Sequence, residues 1–206
     1  MKIYDVSMTI TKNIQVYKNK EEKKPILKVV SNFETGSSHE TSLEMNLHTG
    51  THMDFPLHMI PNGKTSDSLD LSKLITTVKV FDLTHIKDGI DHKDLVDLDI
   101  FPNDFVLFKT RNSYEETFNF KFIYVNASAA SYLSNIGVMG VGVDGLGIER
   151  DQLGHPTHKI LLEKDIVIIE GLRLKDVPKG TYQMYALPIK IEQSDALPLS
   201  VILMGE

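Results

Sequence analysis

Short runs of β-branched and other apolar residues recur along the chain and are separated by polar turns that contain glycine or proline. Runs of this length are typical of β-strands, and runs without a polar interruption indicate strands buried on both faces of a sheet. We predict strands at residues 26–30, 78–83, 105–108, 138–143 and 166–169, with two more at 182–191 and 198–204, where the prolines suit a strand start or an edge.

Three segments carry the signals of short helices. Asn126 is a good N-cap for a helix that ends near Gly137, because glycine readily takes the left-handed conformation that terminates helices. Asp91 can cap a short helix through residue 95, and a third helix is predicted at residues 156–162, where a proline occupies the first turn. Since no repeat or linker divides the chain, the pattern predicts a strand-rich α/β fold in a single domain, residues 1–206.

Composition narrows the class of protein. The 206 residues are 41% apolar and 24% charged, which is ordinary for a soluble globular domain. The formal net charge of -6 argues against nucleic-acid binding, which usually requires a basic face. No apolar run approaches the ~18 residues of a spanning helix, and an early charge interrupts any signal-peptide core, so we expect a cytoplasmic protein with no membrane partner. Because the chain has no cysteine, any metal ion has to bind through nitrogen and oxygen.

The segment from His48 to His58 concentrates residues that can bind a metal ion. It contains three of the eight histidines, His48, His52 and His58, together with Asp54. Imidazole nitrogens and carboxylate oxygens suit divalent ions such as zinc or manganese, and ligands close in the chain chelate with little loop-closure cost. A glycine and a proline within the segment indicate a shaped loop that turns His48, His52 and Asp54 toward one point. The alternative is a polar loop whose histidines have ordinary hydrogen-bond partners.

A metal ion needs more ligands than this loop safely offers, and the downstream candidates are His158 and Glu170. If a short helix carries His158 and the next strand ends at Glu170, the chain reverses near residues 164–165. A helix rises ~1.5 Å and a strand ~3.3 Å per residue, so both side chains can reach the same edge of the sheet. Glu170 also ends an apolar run, where a cation would offset the cost of an unpaired charge. A helix-surface histidine and a strand-end acid are the alternative.

These residues resemble the family of bacterial kynurenine formamidases (arylformamidases) and related cyclases, which includes isatin hydrolases. The family signature His-x-Gly-Thr-His-x-Asp-x-Pro-x-His appears intact from His48 to His58. A second family element, a histidine followed by paired leucines and twelve residues later a glutamate, matches His158, Leu161-Leu162 and Glu170. The general layout extends the resemblance over most of the chain.

The resemblance implies both a fold and a metal centre. The implied fold is a barrel-like mixed β-sheet with a few flanking helices, assembled as a homodimer or higher oligomer whose active site borrows residues across the interface. In the implied centre, His48, His52 and Asp54 hold one divalent ion, zinc or manganese. Asp54 would also bridge to a second ion held by His158 and Glu170.

The same resemblance implies that His58 stays off the metals and acts as an acid or base. Divalent ions lower the pKa of bound water toward ~7 and stabilise an oxyanion as Lewis acids, while a histidine passes a proton to the leaving atom. We therefore expect a metal-dependent hydrolase of small molecules that cleaves an amide, lactam or ester bond, acting on C–N bonds other than peptide bonds. The hypothesis of a different class is a non-catalytic, metal-stabilised binding or scaffold protein, which would not need His58.

The chain departs from the formamidases near its N-terminus. They usually carry a tryptophan-containing segment that lines the pocket, whereas this chain has no tryptophan and its corresponding stretch is residues 14–17. Tyr17 and Phe55 are candidate pocket walls. The sequence therefore leaves four candidate substrates, which are N-formylkynurenine, another aromatic amide, a lactam and a non-aromatic ester.

Other polar residues receive no catalytic role from the pattern. Asp144 fits a turn at a strand end better than a place beside the site. The mixed charges of residues 18–24 favour a solvated loop over a docking patch. Four further histidines have no possible metal ligand at a characteristic spacing in the sequence, and we interpret them as solvent-exposed or core residues. They are His39, His85, His92 and His155.

Overall fold

The computed structural model describes residues 1–205, within which the chain forms twelve β-strands and two α-helices. The strands are β1 (Lys2–Asp5), β2 (Ile26–Ser31), β3 (Glu40–Glu44), β4 (His52–Asp54), β5 (Ile75–Asp82), β6 (Gly89–Ile90), β7 (Phe105–Lys109), β8 (Tyr124–Val125), β9 (Gly140–Val143), β10 (Val167–Glu170), β11 (Gly180–Pro188) and β12 (Ala196–Gly205). The helices are α1 (Ala127–Ile136) and α2 (Pro156–Leu162). Short 3-10 helices lie at Tyr17–Asn19, Glu21–Lys23, Pro56–His58, Ser66–Ser68, Leu71–Lys73, His92–Asp94 and Arg111–Tyr114. None of the helices in the described range is long and apolar enough to span a bilayer.

Seven strands of the described chain close into a barrel. Their order is β12, β11, β5, β7, β9, β10 and β4, and β4 pairs again with β12 to complete the ring. Strands β5, β7, β9 and β10 run parallel, whereas the other pairings in the ring are antiparallel. Strand β1 extends the sheet along the far half of β12. The expected strand-rich α/β fold with a barrel-like mixed sheet is confirmed.

One hydrophobic core fills the inside of the barrel. Every strand of the ring except β9 contributes inward side chains to it, among them Met53, Phe105 and Leu107. On β9, an added Cβ at Gly140 would overlap the ring of Phe105, and one at Gly142 would overlap Leu107. The glycines of β9 therefore leave room for the bulky residues of β7.

A second core lies between the outer face of the barrel and the helices. Neighbouring residues along a strand point to opposite faces, so Val106 and Ile168 face outward and pack with Leu133 of α1 and Leu161 of α2. Both helices form where predicted. Helix α1 ends at Gly137, whose φ is 82°, while the segment capped by Asp91 is a single 3-10 turn with a capping box.

The strand β2 forms as predicted but is not part of the barrel. In residues 1–205 it pairs with β3 in a separate two-stranded ribbon. Its residues Ile26, Val29 and Val30 are 57%, 51% and 53% exposed. A two-stranded ribbon is only marginally stable alone, and this one leaves three apolar side chains of β2 exposed.

Candidate metal centre

Strand β4 places two polar side chains on the outer face of the barrel. Residues two apart in a strand share a face, so His52 and Asp54 point outward while Met53 packs inside. In the antiparallel pairing of β4 with β10, His52 lies directly opposite Glu170, and such cross-strand partners are close neighbours. All three polar side chains are buried. Three possible ligands therefore share one buried patch of sheet.

Helix α2 brings His158 to the same patch. Pro156 begins the helix, and a turn through Asp165, whose φ is 53°, returns the chain into β10. The Nε2 atom of His158 lies 3.5 Å from Oδ2 of Asp54 and 3.4 Å from Oε1 of Glu170. The helix, turn and strand thus follow the path that the sequence suggested.

The remaining two histidines of the signature lie at the edge of this patch. The chain turns at Gly50, whose φ is 74°, and the Nδ1 atom of His48 lies 3.1 Å from Oδ1 of Asp54. His58 ends a 3-10 helix that Pro56 begins, and its ring centroid lies 4.0 Å from that of His48. The structure therefore brings all six predicted site residues together.

Buried atoms at the middle of the cluster lack hydrogen bonds. In the part of the chain that the structure describes, these are Nε2 of His52 and both carboxylate oxygens of Asp54. Nδ1 of His52 lies 2.9 Å from the carbonyl oxygen of Gly50, and because a carbonyl only accepts, Nδ1 carries the proton. In the neutral imidazole, the form that binds a metal ion, the lone pair of Nε2 faces Asp54 at 3.5 Å and Glu170 at 3.3 Å. A lone pair and carboxylates in such proximity need a cation between them.

The donor atoms fit a divalent ion in number and type. Nitrogen and oxygen atoms of this kind are the usual ligands of zinc and manganese. Three sets of possible ligand atoms each lie within 4.8 Å of one another: His52, Asp54 and Glu170; His48, Asp54 and His58; and Glu149, His155 and His158.

Glu149, which the sequence analysis did not identify, forms a hydrogen bond with the ring nitrogen of His158 that does not face Asp54. Its Oε1 accepts a hydrogen bond from Nδ1 of His158 at 2.7 Å, so Nε2 is left to face Asp54 and Glu170. Its Oε2 accepts from the backbone of Thr157 at 2.9 Å. A carboxylate that fixes the tautomer of a histidine in this way is typical of metal sites.

Asp195 supports the other side of the cluster and was also missed. Its backbone carbonyl accepts from the N–H of Phe55 at 2.9 Å, which fixes it beside the end of β4. Its Oδ2 lies 2.9 Å from Nε2 of His48 and 3.5 Å from Nδ1 of His58. One carboxylate thus contacts both a possible ligand and the expected acid or base.

The structure gives His155, which the sequence analysis interpreted as a histidine without a partner, a polar partner near the cluster. Its Nδ1 lies 2.9 Å from Oε1 of Glu149, the same oxygen that holds His158. The residue has a left-handed φ of 54° immediately before α2, a conformation uncommon outside glycine. His155 therefore belongs to the polar network of the cluster, whereas Asp144 lies in a strand-end turn, as expected.

The charges of the cluster shift its pKa values. Burial lowers the pKa of His48, but the neighbouring carboxylates of Asp54 and Asp195 outweigh burial and raise it to about 9. Burial and the nearby Asp54 raise the pKa of Glu170, yet the histidines beside it bring the value to about 2. Burial lowers the pKa of His58. The carboxylates therefore stay ionised at neutral pH, and His58 remains free to exchange a proton.

A cavity of about 210 Å³ opens onto the cluster. It is smaller than the ~300–1,000 Å³ of typical ligand pockets, which suits a small substrate. Tyr17, a predicted wall, does line it, whereas Phe55 is buried in the barrel core and borders a separate cavity. The lining residues outside the cluster are Tyr17, Lys23, Met59, Leu146 and Gly147.

Comparison with known proteins gives consistent matches. The family model Cyclase, described as "Putative cyclase", matches residues 4–150. A kynurenine formamidase from Salinibacter ruber is 30% identical over 206 residues, which cover 98% of this chain and 97% of that protein. A solved structure described as a potential metal-dependent hydrolase with cyclase activity is 49% identical, with a TM-score of 0.93 over 98% of this chain and 96% of that one. Isatin hydrolase A from Labrenzia aggregata, at 20% identity, shares the fold with a TM-score of 0.86 over 100% of this chain and 94% of that one.

Proposed function

The chain belongs to the Cyclase family, and we propose that it is a metal-dependent hydrolase that cleaves an amide, lactam or ester bond of a small molecule. Its kynurenine formamidase relatives favour a C–N bond other than a peptide bond. The observation that carries the proposal is the group of buried polar atoms without hydrogen bonds, Nε2 of His52 and both oxygens of Asp54. A purely structural cluster would have satisfied these atoms.

We assign the ligands from the contacts around Asp54. His48, His52 and Asp54 would hold one divalent ion, and Asp54 would bridge to a second ion held by His158 and Glu170. Zinc and manganese are the two ions favoured by this donor set. A bound ion of this type activates water and polarises the substrate carbonyl.

The side chains of the chain itself provide positioning and proton transfer. His58 is a quarter exposed toward the cavity and its lowered pKa keeps it neutral at neutral pH, so it can take a proton and return it to the leaving nitrogen or oxygen. Asp195 orients the His58 ring through Nδ1. Glu149 holds His158 in the tautomer that presents Nε2 to the cluster. A non-catalytic scaffold would need neither His58 nor its orienting carboxylate, so the scaffold alternative is not favoured.

We also propose that residues 1–206 form one catalytic domain that assembles as a homodimer or a homotetramer. The support is the exposed apolar side chains of the ribbon of β2 and β3, in which Leu43 is 48% exposed in addition to the residues of β2, while Phe33, in the segment that joins the two strands, is 79% exposed. A second copy of the chain would cover this surface. Light scattering of the native chain and of a Val29→Lys, Leu43→Lys double variant tests the assembly, because added charge would reduce the mass to that of the monomer.

The proposed function is tested by hydrolysis of a panel of N-formyl aromatic amines, isatin and simple aryl esters by the protein loaded with zinc or manganese. We expect turnover that a chelator abolishes. A His58→Ala variant should keep its metal content and lose about 10²–10⁴-fold in kcat, the usual contribution of a general acid or base. Elemental analysis gives the stoichiometry, with two ions per chain expected. Absence of turnover on the whole panel, with metal content and thermal stability unchanged in His58→Ala, would support the scaffold alternative instead.

A further inference from the structure

The backbone carbonyl of Gly50 determines which ring nitrogen of His52 is available to an ion. It accepts the Nδ1–H of His52 at 2.9 Å, so that Nε2 faces Asp54 and Glu170. The carbonyl belongs to the turn that leads into β4, where Gly50 has a left-handed φ of 74°. Because glycine restricts its own backbone less than any other residue, the direction of this carbonyl has to be fixed by neighbouring residues.

Gly171 packs directly against that carbonyl. A Cβ added to Gly171 would lie 2.5 Å from the oxygen and 3.0 Å from the carbon of the Gly50 carbonyl, so only a glycine leaves room for them. The N–H of Gly171 donates to the carbonyl oxygen of Gly145 at 2.7 Å, which holds its backbone in place. Gly171 also directly follows Glu170, which lies opposite His52 in the pairing of β4 with β10. The contact between the two glycines therefore sets the position of His52 relative to Glu170.

The hydroxyl of Thr51 joins the same two segments by hydrogen bonds. It donates to the carbonyl oxygen of Gly171 at 2.7 Å and accepts the backbone N–H of Met8 at 2.8 Å. Because a carbonyl only accepts and a backbone N–H only donates, both roles of the buried hydroxyl are fixed. These bonds connect the residue that precedes His52 to the residue that follows Glu170.

From these contacts we propose that Thr51 and Gly171 are positioning residues of the metal centre. They hold the Gly50 carbonyl so that His52 keeps its proton on Nδ1 and presents Nε2 to the ion. A histidine whose tautomer and orientation are already fixed binds an ion more tightly, because its ring does not have to reorient. Both residues act through His52, since the Thr51 hydroxyl is already committed to two hydrogen bonds. The inference rests on the proposed function for the presence of the ion, but not for the hydrogen bond of His52.

Zinc affinity, measured by competition with a chromophoric chelator, tests the proposal. Thr51→Val keeps the shape of the side chain and removes both hydrogen bonds, while Gly171→Ala adds a methyl group against the Gly50 carbonyl. We expect each variant to bind zinc about 10–100-fold more weakly, the usual effect of changing a group that orients a ligand. Thr51→Ser keeps the hydroxyl and should restore most of the affinity. Thermal unfolding shows that each variant is folded at the temperature of the measurement.

Gly137→Ala is the matched control for Gly171→Ala. Gly137 has a left-handed φ of 82° beside the 71° of Gly171, but among the described residues an added Cβ there would meet no packing neighbour within 4 Å. The two substitutions therefore impose similar backbone strain, whereas only the one at Gly171 displaces the Gly50 carbonyl. Gly137→Ala should lower Tm and leave zinc affinity unchanged. An equal loss of affinity in Gly137→Ala would show that strain alone weakens the centre, and the proposal would be overturned.

Nuclear magnetic resonance of the metal-free protein separates this inference from the proposed hydrolase function. The Nδ1–H proton of His52 should exchange slowly with water, because it is buried and hydrogen-bonded to Gly50. Its signal is identified by its absence in His52→Gln. We expect the signal to persist in Gly137→Ala and to be lost or shifted in Thr51→Val and Gly171→Ala, whether or not any substrate is cleaved.

The two measurements together decide the positioning role. An unchanged Nδ1–H signal, or an unchanged zinc affinity, in both Thr51→Val and Gly171→Ala overturns it. If the unchanged protein bound no zinc, the proposed function would fail, and the signal of His52 alone would decide whether these residues fix its tautomer.

Discussion

Asp54 and Asp144 are both buried aspartates at the ends of barrel strands, yet their surroundings are opposite. Asp144 accepts four hydrogen bonds, from the backbone and hydroxyl groups of Thr110 and Ser113, at 2.6–3.1 Å. Asp54 accepts no hydrogen bond from the described chain and faces imidazole rings instead. A buried carboxylate that accepts hydrogen bonds from neighbouring groups can have a purely structural role, whereas a buried carboxylate without such donors needs a cation beside it.

The pKa values of the two aspartates express the same contrast. Burial raises the pKa of Asp144, and its hydrogen bonds offset only part of that effect. Burial acts on Asp54 in the same direction, but His158, His48 and His52 outweigh it and hold the pKa of Asp54 well below its usual value. The environment of Asp54 is thus organised to keep a negative charge in the interior, which is the condition for holding a metal ion.

The largest expected effect comes from neutralising Asp54. An Asp54→Asn variant loses the charge that both proposed ions share, so we expect metal binding to fail and kcat/KM to fall by more than about a thousandfold. The metal-free variant should still fold. The measurement is thermal unfolding with and without added zinc or manganese, together with hydrolysis rates. A metal-dependent rise in Tm equal to that of the unchanged protein would remove the distinction drawn between the two aspartates.

How much of this centre could be predicted depends on how its residues are connected. His48, His52, Asp54 and His58 lie within one short segment, and the alternation of polar and apolar residues in His52-Met53-Asp54 sends the two ligands to one face. Such local patterns are visible in the sequence. His158 and Glu170 were accessible because a helix and a strand joined by a short turn have limited geometry.

Glu149 and Asp195 could not be predicted in the same way. Each reaches the cluster through tertiary structure, Asp195 by the pairing of β12 with β4 and Glu149 from the loop that follows β9. Neither lies in a motif, and the pairing register of strands that are far apart in the sequence cannot be predicted from local periodicity. The fold shows the same limit: continuous apolar strands such as β7 were predicted, whereas the charged β1 and the short β4 were not.

The second expected effect is a pH dependence of stability that only the metal-free centre shows. The pKa of His48 is raised from 6.5 to about 9, so its contribution is fully present below pH about 6.5 and is lost as the pH rises through about 9. The free energy of unfolding of the metal-free protein should decrease over this window by up to about 3 kcal/mol. Denaturant titrations at several pH values measure it. Metal-loaded protein, in which a neutral His48 binds the ion, should lack this loss, and equal slopes with and without metal would contradict the assignment.

A smaller effect is expected from the carboxylate behind His158. Glu149→Gln keeps the size of the side chain but weakens the charge-assisted hydrogen bond to Nδ1, so metal affinity should fall about 10–100-fold. Activity should recover largely at saturating metal, because the ligands themselves remain. Competition with a chromophoric chelator gives the affinity. Glu163→Gln, at an exposed position just after α2, is the matched control and should bind metal as the unchanged protein does.

The smallest effect on the centre is expected from Asp144, although its effect on stability is large. Asp144→Ala leaves the donors of Thr110 and Ser113 without their acceptor, so the free energy of unfolding should fall by roughly 2–4 kcal/mol. Metal affinity should stay within about threefold and the metal-induced rise in Tm should persist, because hydrogen bonds already satisfy this carboxylate and no ion depends on it. The two aspartate variants thus form a pair, one that loses metal binding and one that loses stability. If Asp144→Ala lost metal binding as completely as Asp54→Asn, the presence or absence of hydrogen-bond donors around a buried carboxylate would not identify the metal centre of this barrel.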